Sequence, residues 1–180
     1  MRASRIFGVI VSLFVLFGGV PDAAFGQSEP EERAELIRTQ NSLTLFRKFE
    51  QDSRHLYFLQ ANAIIAVQGG WNEGDLGYGT HAALLGEAAE SLLLPKFKRL
   101  SARLDTNAYL NEEEKRRLQE SVAQVLVLVD LSQSISDALK DGNLETAILL
   151  YHDQATPIFE SIWATNYTLI SEAERRLPRR

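Results

Sequence analysis

Residues 143–177 read NLETAILLYHDQATPIFESIWATNYTLISEAERRL, and this stretch decides the fold. Leu144, Ile148, Tyr151, Ala155, Ile158, Ile162, Thr165 and Leu169 recur in steps of four and three. That is the period of a helix packed in a left-handed bundle. Asn143 stands where an N-cap is needed, and Pro157 lies inside the pattern, where it should bend the helix.

Just upstream, Lys140-Asp141-Gly142 closes another helical segment, with Gly142 suited to a left-handed C-terminal position. That segment opens at Asn111, followed by Glu112, Glu113 and Glu114, acidic residues that favour a helix N-terminus. A second helix is expected from a Thr80 cap to Leu104. Pro95 interrupts it, and Lys96, Lys98, Arg99 and Arg103 gather near the end that favours cations. The first helix opens on a Ser28–Glu31 capping box and carries two adjacent seams. Leu45, Phe49, Leu56, Leu59, Ala63 and Ala66 form one, with Asp52 its polar exception; Leu43, Phe46, Tyr57, Ile64 and Val67 form the other. It ends at Gly69-Gly70, before a glycine-rich stretch through Gly79. No segment alternates as a strand would. The connections are short enough to make successive helices antiparallel neighbours. Residues 27–180 are therefore expected to form one all-α domain, an antiparallel up-down-up-down four-helix bundle. Its helices cover about 29–68, 80–104, 111–140 and 143–177.

Residues 1–26 read as a signal peptide. Arg2 and Arg5 precede an apolar run from Ile6 to Phe17, and Ala24-Phe25-Gly26 sets small residues before a cut at Gln27. The run is short for a membrane span, which needs ~20 residues, although an uncleaved anchor is the rival reading. Cleavage takes away Arg2, Arg5 and Asp22 and leaves 17 basic against 23 acidic side chains, a formal net charge of −6. Such a surface disfavours nucleic acid and anionic lipid. No stable membrane span is expected after cleavage, and the periplasm is the expected compartment.

The chain has no cysteine, and its single methionine is Met1. Disulfides, thiolate chemistry and an axial Met ligand are thereby excluded. Three histidines remain. At ~1.5 Å rise per residue, His55 and His152 fall roughly 6 Å apart in height on neighbouring helices. Neither Glu-x-x-His nor His-Glu-x-x-His occurs, so a His-based metal or haem carrier is the weakest reading. Asp130, inside an apolar run, is either a buried acid of raised pKa or a water-facing residue at the seam's edge. No glycine loop follows a strand and no Gly-x-Ser-x-Gly elbow occurs. Asn166-Tyr167-Thr168 is a formal glycosylation acceptor inside a helix. No catalytic residue, metal ligand or cofactor is expected.

A more diffuse feature lies toward one end of the bundle. Gln60 and Gln68, with Ser132, Gln133 and Ser136, put polar groups near the seams there. Trp71, Tyr78 and His81 flank the adjacent turn, and Tyr151 and His152 stand close by on the fourth helix. An apolar pocket with a few placed donors is the form of a small-molecule site. Gln60, Trp71, Tyr78, His81, Tyr151 and His152 are the candidate ligand-binding residues.

From Asp137 to Leu177 the chain resembles the turn between the third and fourth helices of chemoreceptor-type four-helix-bundle sensor domains. Gly142-Asn143, Glu145 to Ala147, and Asp153 to Pro157 carry the likeness. The resemblance implies an extracytoplasmic sensory or ligand-binding module without catalysis, often a dimer. With no second span and no cytoplasmic signalling part, this would be a free-standing version. The alternative is a structural or chaperone-like interaction protein. For it, Leu128, Leu131 and Ile135 would form a second, exposed apolar face beside Val122, Val125 and Val129.

Overall fold

The computed structural model describes residues 30–69 and 78–178, apart from the side chains of Tyr78 and Gly79. The expected signal peptide, Ser28, Trp71 and the Tyr78 side chain lie outside the described residues. The chain divides into two compact units, Met1–Ala34 and Glu35–Arg180. Both hydrophobic core clusters belong to the second unit.

The protein is all-helical, with four long helices and no strand among the described residues. Helix one spans Pro30–Gln68. Helix two covers 78–104 and begins at Tyr78, two residues before the expected Thr80 cap. It runs as Tyr78–Glu87, a π-helical turn at Ala88–Leu93, and Leu94–Leu104. Helix three is Glu112–Lys140. Helix four covers 144–176 as Leu144–Leu149, a π turn at Leu150–Ala155, and Thr156–Arg176.

Local chemistry sets these ends. Asn111 Oδ1 accepts from the Glu114 amide and Glu114 Oε2 accepts from the Asn111 amide, both at 2.9 Å. The two bonds satisfy donors that would otherwise be orphaned. Arg116 and Arg117 both bind Glu113 in the same first turn and hold its carboxyl down at about 2. At the far end Gly142 adopts φ 72°. The Asn143 amide then reaches the Ala138 carbonyl at 2.8 Å and the Gly142 amide that of Leu139 at 3.2 Å. This is a Schellman closure, and only glycine enters that backbone region without strain. Asn143 at once caps helix four, its Oδ1 accepting from the Thr146 amide.

Pro95 and Pro157 each follow a π turn. A proline ring collides with the carbonyl one turn back and offers no N–H; a turn widened to i→i−5 bonding relieves both demands. The amides of Leu94 and Thr156 accordingly bond to the carbonyls of Ala89 and Tyr151. The interruptions expected at Pro95 and Pro157 thus take the form of wide turns.

The buried face of helix one is a regular heptad: Thr39, Ser42, Phe46, Phe49, Ser53, Leu56, Gln60, Ala63 and Val67. Its two seam serines bond to their own helix, Ser42 to the Thr39 carbonyl and Ser53 to that of Phe49. The larger core cluster includes Phe46, Phe49, Leu56, Phe97, Leu118, Val125, Ile162 and Leu169. A smaller one gathers Ala63, Ile64, Val67, Ala82, Leu85, Ile135, Leu139 and Ala147. Gln60 and Ser132, bonded to each other at 2.7 Å, lie between the two clusters along helices one and three.

Helix three packs against helices two and four and meets helix one through Gln60. It alone among the described helices is long and apolar enough to cross a membrane by length and composition. Burial on several faces accounts for that composition. Leu128, Leu131 and Ile135 are all buried, so the second apolar face expected to stand exposed is covered within the molecule. Asp130, by contrast, faces water.

Candidate functional site

Two helices supply a groove of about 490 Å³. Helix one contributes Leu45, Lys48, Phe49 and Asp52, and helix two contributes Lys96, Phe97, Arg99, Leu100 and Arg103, with Asn107 just beyond its end. The offsets of three, four and seven place each set on one helical face. Apolar and charged residues alternate within the sets, so the floor is greasy and the walls are ionic.

Phe49 and Phe97 form the buried part of the floor, edge to face with centroids 6.0 Å apart and planes at 82°. Leu45 and Leu100 are half-buried beside them. The Lys96 ammonium binds Asp52 Oδ1 at 3.0 Å. Arg99 spends its Nε on the Pro95 carbonyl at 3.1 Å, which fixes the side chain's stem and leaves its terminal nitrogens without a partner among the described residues. Lys48, Arg99 and Arg103 are exposed and form no salt bridge among the described residues. Four cations against one carboxylate make a positive rim on a chain whose net charge is −5. The volume falls within the range of small-molecule sites, ~300–1,000 Å³.

The described candidate residues read from the sequence, Gln60, His81, Tyr151 and His152, lie elsewhere. Gln60 is fully buried and turns to helix three, its Nε2 donating to the Leu128 carbonyl and to Ser132 Oγ. Its Oε1 is sealed in without a partner among the described residues. His81 is half-buried near the start of helix two, and His152 is exposed. Tyr151 meets the edge of His152, with ring centroids 5.2 Å apart, and stacks on Tyr57 at 5.0 Å. No contact brings Gln60, His81 and Tyr151 together among the described residues. The polar end of the seams is close-packed: Ser136 Oγ donates to the Ala82 carbonyl at 2.6 Å, and a Cβ on Gly86 would lie 3.0 Å from that hydroxyl. His55 is exposed as well. Among the described residues no group of three or more His, Asp or Glu side chains is placed to hold a metal.

A second constellation joins helices one and four. Thr156 Oγ1 donates to the Tyr151 carbonyl at 2.9 Å, and the Tyr57 hydroxyl lies 3.1 Å from Thr156 Oγ1. A threonine hydroxyl has one proton, so Tyr57 is the donor and the chain runs Tyr57 to Thr156 to Tyr151. Phe159 stacks on Tyr57 with centroids 4.1 Å apart and planes at 3°. Burial, followed by the neighbouring Tyr57 hydroxyl, pushes the Tyr151 phenol well above its ordinary value.

The formal glycosylation acceptor is a core residue. Asn166 is buried, and its Nδ2 donates to the Phe46 carbonyl at 3.1 Å. The sequence shows the groove cations only as a cluster at a helix end. Their pairing with Lys48 needs the register of helix one against helix two, and the signal is the matched spacing of basic and apolar residues on the two helices. No protein-family model, curated protein or solved structure matches the chain.

Proposed function

We propose that this protein is an exported, non-catalytic helical module that binds a small molecule, with the ligand held between helices one and two. The groove over Phe49 and Phe97 carries the reading, because it joins a buried apolar floor to a charged rim in a volume suited to a small ligand. Residue pairings support an antiparallel up-down-up-down order. Asp52 meets Lys96 while Ile64 clusters with Ala82 and Leu85, and Arg47 binds Glu174 while Tyr57 meets Thr156. Arg117 binds Glu172 while Gln124 meets Ser161. The signal peptide, a periplasmic location and kinship with chemoreceptor-type sensor domains belong to the same proposal, resting on residues 1–26 and on Gly142 to Pro157.

A thermal-shift panel of amino acids, organic acids and aromatic compounds tests it. A ligand at 100 times its Kd adds ~2.7 kcal/mol; if no compound raises the melting point, the reading falls. Leu100→Trp, which fills the groove, should abolish the shift. Loss in Tyr151→Ala with retention in Leu100→Trp would return the site to the polar end. Sequencing the N-terminus of the exported protein should give Gln27.

A second reading, an interaction protein acting as a dimer, draws on one observation. Trp163 and Tyr167 stand 47% and 62% exposed on helix four, their rings 5.9 Å apart. Exposed aromatic pairs are favoured at protein interfaces. Concentration-dependent sedimentation that Trp163→Ser abolishes would support it; a monomer at all concentrations would remove it.

A further inference from the structure

We propose that the groove between helices one and two selects an amphipathic carboxylate, its apolar body on the Phe49–Phe97 floor and its carboxylate between Arg99 and Arg103. The inference rests on the binding-module reading and adds the class of ligand. Three observations carry it.

The rim is unbalanced. Asp52 neutralises Lys96 and closes one end of the groove, whereas Lys48, Arg99 and Arg103 have no acidic partner among the described residues. Helix polarity accounts for a cation in the last turn, such as Arg103. It does not account for Lys48, which comes from the middle of another helix.

Arg99 and Arg103 are one turn apart on one face, so their like charges oppose each other unless an anion lies between them. Arg99 is already anchored through Nε, and its free terminal nitrogens offer the forked geometry that a carboxylate matches. The distance from Lys96 to Arg103 along the helix is roughly 10 Å at ~1.5 Å per residue. That is the length of a medium-chain acyl or fused aromatic body.

The backbone selects among anions. Many phosphate sites use a helix N-terminus, with its free N–H groups and positive end. This groove lies along the C-terminal half of helix two and turns carbonyls toward its end. A singly charged carboxylate held by side chains is less opposed there than a phosphate dianion.

Titration calorimetry on the full chain tests this with four probes below their micelle concentrations: decanoate, decanol, decyl phosphate and inorganic phosphate. Decanoate should bind at least about tenfold tighter than decanol and tighter than decyl phosphate, and more weakly as salt rises. Inorganic phosphate should not bind. The double variant Arg99→Gln/Arg103→Gln should lose about tenfold or more for decanoate, the scale of lost charge-assisted hydrogen bonds, and nothing for decanol. Both arginines are exposed, and a helical circular-dichroism signal checks that the variant folds. Equal binding of decanoate and decanol, abolished for both by Leu100→Trp, would overturn the charge selection while keeping the groove as a site. Tighter binding of decyl phosphate would overturn the choice of head group. Binding to anionic vesicles with none to free decanoate would make the surface a membrane contact. Decanoate binding unchanged in Leu100→Trp would overturn the placement.

Discussion

Pro95 in helix two and Pro157 in helix four occupy equivalent places. Each comes two residues after a π turn, and each is followed two residues later by a phenylalanine, Phe97 or Phe159. Their surroundings differ. Phe97 is buried against Phe49 and forms the floor of the groove. Phe159 is half-buried and stacks on Tyr57, whose hydroxyl enters the bond chain to Thr156 and the Tyr151 carbonyl. The wide turn is a local answer to proline, but neighbouring helices decide its use. In helix two it precedes apolar packing, and in helix four it presents a carbonyl to a polar relay.

The largest expected effect separates the two phenylalanines. Phe97→Ala should cost about 3–5 kcal/mol, as deletions of buried aromatic rings do. Phe159→Ala, which uncovers less apolar area, should cost about 1–2 kcal/mol. Urea midpoints at unchanged m-value give both numbers. Equal losses would erase the contrast.

The relay comes next. Thr156→Val removes the bond to the Tyr151 carbonyl and strands the Tyr57 hydroxyl, a loss of about 1–2 kcal/mol. Tyr57→Phe should cost about 0.5–1.5 kcal/mol. The double variant should cost less than the two losses added, because the two groups act as one unit; strict additivity would show that the hydroxyls do not cooperate. Alkaline titration probes the same place. The Tyr151 phenol is raised in the folded protein from an ordinary value of 10.0, so above that pH the unfolded chain releases a proton that the folded one keeps. Stability is then fully present below pH 10 and falls as pH rises toward the raised folded value. Tyr151→Phe should flatten that decline, and an unchanged decline would place its cause in other groups.

Parts of this arrangement are legible in the sequence and parts are not. The Asn111 cap, the Gly142 closure and the Asn143 cap need only local chemistry, and they stand where the residues predict. The seam of helix one is harder to read. Ser53 and Gln60 occupy heptad positions that an apolar search skips, while Leu45 and Leu59, which it accepts, are half-buried. In helix four the π turn adds a residue, so Ala147 is buried eight positions before Ala155 and Ile148 of the expected seam is half-buried. A regular step of three and four cannot register an inserted residue. The groove was hidden for another reason. Each of its two rows is an ordinary amphipathic helix edge, and only their register across helices one and two places Lys48 opposite Arg99 and Arg103.

The smallest energetic effect gives the sharpest test of what holds the two wide turns. Pro95→Ala and Pro157→Ala each restore an N–H and remove the ring that made an α turn impossible. The recovered hydrogen bond, about 0.5–1.5 kcal/mol, is offset by a more flexible unfolded chain, about 0.4–1 kcal/mol. Net stability should move by less than about 1 kcal/mol. Geometry decides the outcome. Closing a π turn to α deletes a one-residue offset and rotates the preceding segment by ~100°. In helix four that rotation would pull Ala147 from its cluster and break the Thr156–Tyr151 bond, against a start pinned by the Gly142–Asn143 joint. In helix two the same rotation would pull Ala82 and Leu85 from that cluster and break the bond from Ser136 to the Ala82 carbonyl. Both variants should therefore keep their wide turns, with the Leu94 amide still on Ala89 and the Thr156 amide still on Tyr151. Crystal structures of the two variants, or their amide exchange at residues 88–95 and 150–157, read the outcome. If both turns relax, proline alone maintains them, and the tertiary relay in helix four only decorates a local rule.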